Sequence, residues 1–161
     1  MNVTGEERIA AHRDRVWAGL NDAEILKRCI PHCKSLEWQS EHELAAVIRI
    51  KLGPVASNFS GTITLSNVNA PASYRLSAAG KGGILGFAQG AADVQLIEDG
   101  DETILRYVAA AELGGRLAQL GAKLIGSATQ RLAARFFSDF NDAVSGQPSK
   151  PDGASVAAKL T

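Results

Sequence analysis

The feature that most constrains this chain is its last long periodic stretch, Gly114 to Val144, GGRLAQLGAKLIGSATQRLAARFFSDFNDAV. It contains no proline, and Ala, Leu, Arg, Lys and Gln fill most of it, so it predicts one continuous helix. About thirty residues at roughly 1.5 Å per residue reach about 45 Å, the width of a whole small domain. Leu117, Gly121, Leu124 and Ala128 recur on one face, and Ile125, Leu132, Phe136 and Phe140 mark a second, slightly rotated face. The first half of the buried stripe is small and smooth, and the second half is bulky. The rest of the chain has to cover that stripe.

The preceding hundred residues read mainly as strands. Asn2 to Ala11 is a first strand, and Asp14–Leu20 and Ala23–Cys29 are two short helices, the second capped by Asn21 or Asp22 and stopped by Pro31. Leu36 and Trp38 mark the next strand. From there the apolar period is two: Leu44, Ala46, Ile48, Ile50 and Leu52, then Val55, Phe59, Ile63 and Leu65, then Tyr74, Leu76 and Ala78. Gly53-Pro54 and Asp99-Gly100 are turn signals between such runs. The last two strands carry Ala88, Gly90, Ala92, Val94 and Leu96, and Leu105, Tyr107, Ala109, Ala111 and Leu113. This order predicts an α+β domain over residues 1–145, with a curved antiparallel sheet of about seven strands wrapped on the long helix. Residues 146–161, rich in Gly, Pro, Ser, Ala and Lys, read as a flexible tail.

Seventeen basic and seventeen acidic side chains cancel, so no charge excess points to nucleic acid. No signal pattern opens the chain and no run nears the roughly 20 apolar residues of a membrane span, which leads us to expect a cytoplasmic protein. Cys29 and Cys33 flank His32 in CIPHC, but no second pair completes a metal site, so no metal is expected. No Ser, His and acid combination or phosphate loop appears, and Asp93 and Glu112 fall on outward strand positions, so no catalytic residue is assigned.

What does appear is small residues where a core would want large ones. Ala88, Gly90, Ala92, Ala109 and Ala111 on the last strands face Gly121 and Ala128 of the helix, which predicts an apolar cavity rather than flush packing. Its expected lining is Ile50, Phe59, Leu76, Val94 and Tyr107 from the strands, with Leu117, Leu120 and Leu124 from the helix. The Gly-rich apolar loop GKGGILGF, residues 80–87, is expected to be a lid that puts Leu85 and Phe87 at the mouth.

This order of elements resembles the helix-grip, START-like (Bet v 1-like) superfamily. Within it, TGE at 4–6, VW at 16–17, LND at 20–22, CIP at 29–31 with Cys33, GPV at 53–55 and Phe59-x-Gly61 resemble the G-subunit family of carbon monoxide dehydrogenase. GKGG at 80–83, Gly86-Phe87, Leu105 with Tyr107, and GGRLAQLG at 114–121 followed by Leu124-Ile125 complete the series. His32 departs from the family's usual Gly. Longer members run through a polar linker into a membrane-seeking segment, where this chain ends at AAKLT. The resemblance implies a non-catalytic accessory protein. It would bind a lipid quinone, menaquinone or ubiquinone, and link a molybdenum hydroxylase such as carbon monoxide dehydrogenase to the inner face of the cell membrane, in peripheral contact with it. Two other readings stay open: a helix-grip enzyme of cyclase/aromatase type using Tyr74 or Tyr107, and an assembly factor with a filled core.

Overall fold

A computed structural model of the chain describes residues 1–146; the tail assigned above from 147 onward lies outside the described residues. Seven antiparallel strands form one sheet: β1 (Asn2–Ile9), β2 (Cys33–Ser40), β3 (Glu43–Leu52), β4 (Val55–Asn69), β5 (Ser73–Lys81), β6 (Phe87–Asp99) and β7 (Glu102–Gly114). Their spatial order is β1-β7-β6-β5-β4-β3-β2, so each strand from β2 to β7 lies beside the next, and β1 closes on the last. Two helices, α1 (Arg13–Leu20) and α2 (Ala23–Cys29), follow β1, and two more, α3 (Arg116–Gln119) and α4 (Ala122–Val144), end the described chain.

Local chemistry sets the connections. Asp22 caps α2 by accepting from the Glu24 and Ile25 amides at 2.9 and 3.3 Å. The pairings Leu52 with Val55 and Asp99 with Glu102 leave two-residue turns in which Gly53 and Gly100 take positive φ, as the Gly-Pro and Asp-Gly signals predict. The sheet is tightly curved, and its glycines show where. A Cβ on Gly61 or Gly90 would strike the backbone carbonyl of Ala79 or Ala110 on the neighbouring strand.

The continuous helix expected over 114–144 is interrupted. Gly114 ends β7, and Gly121, at φ 95°, separates the single turn α3 from α4. That backbone angle disfavours any residue with a side chain, so Gly121 makes a turn instead of costing helix stability. The break resets the helical phase. Leu117, Leu120 and Leu124 therefore do not share the single face that an unbroken helix would give them.

The second half of α4 is anchored on α1 and α2. Phe140 is fully buried and stacks on Phe136 with centroids 5.7 Å apart, and Val144 and Gly19 meet beside it. Asn141 Oδ1 accepts from the Ala10 amide at 2.8 Å, and buried Thr103 donates to the Ala11 carbonyl at 2.7 Å. These bonds tie helix, sheet and the β1–α1 connection at one end of the molecule. Phe140→Ala should lower stability by about 3–5 kcal/mol in urea unfolding. A loss below about 1 kcal/mol would mean that this end of α4 is not anchored there.

Candidate functional site

The interior is not one core. Three clusters of buried apolar residues form: a main one around Ile9, Val16, Tyr74, Leu96 and Phe140, a second around Leu52, Leu85, Leu117, Ile125 and Ala128, and a third around Leu36, Leu44 and Ala46. Single domains usually hold one contiguous core, with at most minor satellites. Here a cavity of about 710 Å³, lined by residues of all three clusters, lies between them. On β5 its wall runs from Tyr74 to Gly80, about 20 Å at roughly 3.3 Å per residue.

Two sequence choices leave this space open. Along the inner wall β6 and β7 present Ala88, Gly90, Ala92, Ala109 and Ala111, whose side chains are too short to reach the helix. Opposite them α4 presents Ala128, Thr129 and Ala133. No Asp, Glu, His, Lys or Arg lines the cavity among the described residues. Thr129 donates its hydroxyl to the Ile125 carbonyl at 2.8 Å. Met1 and Leu132 also line the cavity and are 47% and 43% exposed, so it reaches solvent beside the start of β1 and beside the middle of α4.

Of the residues expected at the site, Ile50, Phe59, Leu76, Val94, Tyr107, Leu117 and Ala128 stand on the cavity wall. Leu85, Phe87, Leu120, Gly121 and Leu124 do not. Leu85, in a 3-10 turn (Gly83–Leu85), is fully buried in the second cluster, where it plugs the end expected to be the mouth. Phe87 is 43% exposed and its ring lies over Gly114. Leu120 packs on the second cluster from outside the cavity, and Leu124 lies beside Gly53. For Leu120, Gly121 and Leu124 the reason is the helix break at Gly121, which resets the helical phase, whereas Phe87 precedes the inward Ala88 on β6 and so faces the other side of the sheet.

Tyr74 is a wall residue absent from the expected lining. It is 7% exposed, and its ring meets Trp17 edge-on with centroids 5.4 Å apart. Its inward strand parity is visible in the alternation of β5. Asp93 and Glu112 do point outward, to Arg75 at 2.9 Å and to Gln89 at 2.9 Å. Among the described residues no cluster of three His, Cys, Asp or Glu could hold a metal. Burial raises the pKa of the Cys29 thiol to about 11, which keeps it protonated and unreactive.

Two measurements test this geometry. Ala128→Leu should fill the cavity, leaving the melting temperature unchanged or higher while abolishing binding of a fluorescent apolar probe; a closed core would instead lose about 1–3 kcal/mol to overpacking. The second concerns alkaline pH. Burial pushes the Tyr74 pKa from 10.0 up to about 12. Above pH 10 the unfolded chain releases this proton while the folded chain still holds it. The stabilisation is therefore complete below pH 10 and lost as pH rises to 12. Between pH 9 and 11, urea melts of the native chain should fall by about 1.4 kcal/mol more than those of Tyr74→Phe. Equal slopes would place the ring in water.

The same fold occurs widely among solved structures. A conserved protein from Geobacillus kaustophilus is similar at 29% identity and a TM-score of 0.84, covering 89% of this chain and 95% of that one. The Zhui aromatase/cyclase from Streptomyces sp. R1128 is similar at 13% identity and a TM-score of 0.65, covering 96% and 99%. Norcoclaurine synthase from Thalictrum flavum is similar at 14% and 0.61, covering 89% and 92%. At these identities the two enzymes share the fold alone. No curated protein matches the sequence. The CoxG family, the G subunits of carbon monoxide dehydrogenase, matches residues 5–145, nearly the whole described chain, and with the helix-grip fold around an apolar cavity this establishes that the chain belongs to that family.

Proposed function

We propose that this chain is a non-catalytic accessory protein that carries a lipid quinone, menaquinone or ubiquinone, in its cavity and links a molybdenum hydroxylase of the carbon monoxide dehydrogenase type to the membrane. The observation that carries the reading is the cavity: about 710 Å³ of space, about 20 Å long, with no charged side chain on its wall among the described residues. Its length and apolarity suit a neutral head on an isoprenoid tail. Away from the exposed Met1 ammonium at the start of β1, an anionic or cationic ligand would be desolvated there without a counter-charge. A cyclase of this fold would need an acid or base against its substrate, and the tyrosines are the only titratable side chains on this wall among the described residues.

The charge distribution supports a contact with the inner face of the cell membrane. Residues 44–92 and 113–138 contain no Asp or Glu, although the chain as a whole is neutral. The β3–β4, β5–β6 and β7–α4 connections drawn from these tracts meet at one end of the molecule. Lys51, Lys81, Arg116 and Lys123 are exposed there, without ion pairs among the described residues. Ile84, 69% exposed, projects from the same end. An apolar tip in a cationic collar complements an anionic bilayer surface. No described helix is long and apolar enough to cross a membrane.

Organic extraction of the purified protein followed by mass spectrometry should yield a quinone, and Ile84→Asp should reduce cosedimentation with phosphatidylglycerol vesicles several-fold. A protein free of extractable lipid that also refuses added quinone would favour the assembly-factor reading. Unchanged sedimentation would remove the loop end from membrane contact.

A further inference from the structure

Among the described residues, one deeply buried side chain on the cavity wall carries a polar group that the fold itself does not use. Tyr74 is only 7% exposed, yet its hydroxyl has no hydrogen-bond partner among the described residues. Buried hydroxyls nearly always have a partner, and one without is costly to the fold. Arg13 Nε is the only fully occluded side-chain polar atom left unpaired among the described residues, so the Tyr74 oxygen is not sealed off, and the residue that carries it lines the cavity.

Its surroundings fix it in place. The edge-on contact with Trp17 holds the ring, and the β5–β6 register sets Tyr74 beside Val94. Val94 in turn pairs with Tyr107, and Tyr107 with Gly5, so one row crosses the inner face. The Tyr107 ring stacks on Phe137 with centroids 5.7 Å apart, and its hydroxyl lies over Gly5 on the edge strand, not in the depth of the cavity. The Thr129 hydroxyl is already committed to a helix carbonyl.

We propose that the Tyr74 hydroxyl donates the hydrogen bond that anchors the head of the cavity's ligand, through a neutral carbonyl oxygen, at the α1 end, while the apolar tail runs along β5 toward Phe59 and Leu117. This rests on the carrier reading and sharpens it to a ligand class: a long apolar molecule ending in a neutral carbonyl, not a fatty-acid anion. A carboxylate would meet one neutral donor and no cationic side chain. Burial keeps the phenol protonated, hence a donor, throughout the physiological pH range. The polar end lies against the main core, and the tail end lies under the Leu85 plug.

The test compares menaquinone-2 with a naphthalene carrying the same side chain, binding each to the native chain, Tyr74→Phe and Tyr107→Phe. Tyr74→Phe keeps the ring and should weaken quinone binding about 5- to 10-fold, the scale of one hydrogen bond, while leaving the hydrocarbon's affinity unchanged. The bound quinone's carbonyl stretch should be lowered in the native chain and in Tyr107→Phe, and return to its unbonded position in Tyr74→Phe. Transfer of the native complex into deuterated water should shift the same band, a readout that needs no substitution. A Tyr74→Phe protein with unaltered quinone affinity and carbonyl band, or loss of the band shift in Tyr107→Phe alone, overturns the donor role and leaves the carrier reading standing. A native chain that binds neither compound overturns both.

Discussion

Everything in this molecule depends on how a straight helix meets a curled sheet. Helix α4 is held firmly at one end, where Phe140 and Val144 sink against α1 and the Asn141 side chain accepts from the Ala10 amide just after β1. At its other end Ile125 and Ala128 meet Leu52, Leu85 and Leu117. Between these two contacts the sheet bends away, and the residues that could have filled the gap are Ala and Gly. Close packing would ordinarily collapse such a space. Here the backbone cannot follow, because both ends of the helix are already fixed.

That arrangement explains why the core is divided and why the cavity stays apolar. The main cluster and the cluster around Leu85 each close one end, so neither needs a polar group on the cavity side. The charged side chains lie on the outer face of the sheet, in the loops or on the helices away from the cavity, where pairs such as Arg8 with Asp99 and Arg75 with Asp93 remain in solvent and add little stability. The interior is thereby left to shape and to very few hydrogen-bonding atoms, which is the chemistry of holding a greasy molecule. The fold alone does not decide the function, and at 13–14% identity the two enzymes share no more than the fold with this chain.

Membership of the family and the reach of the cavity are separate matters. The family match spans residues 5–145, and the strand parity that opens the cavity follows from the residues themselves. The polarity of the surface is written in the sequence as two long tracts without acids. It becomes a surface only once the hairpin turns bring Lys51, Lys81 and Arg116 to one end.

Period-two and helical patterns are local properties, so the seven strands, the two short helices and the inward faces of Phe59, Leu76, Val94 and Tyr107 could be read from residue order alone. So could the small-residue face that makes room for a cavity. The sequence could not show that Gly121 would turn the chain instead of continuing a helix, because a glycine tolerates both conformations and tertiary contacts choose between them. From that one choice follows the withdrawal of Leu120 and Leu124 from the cavity, and the burial of Leu85 as a plug is a second tertiary outcome. Tyr74 is the converse case. Its inward face was legible, but only the packing of Trp17 against its ring and the lack of any partner for its hydroxyl among the described residues make it a buried donor, since a missing hydrogen bond is a property of three-dimensional surroundings and not of any pattern in the chain.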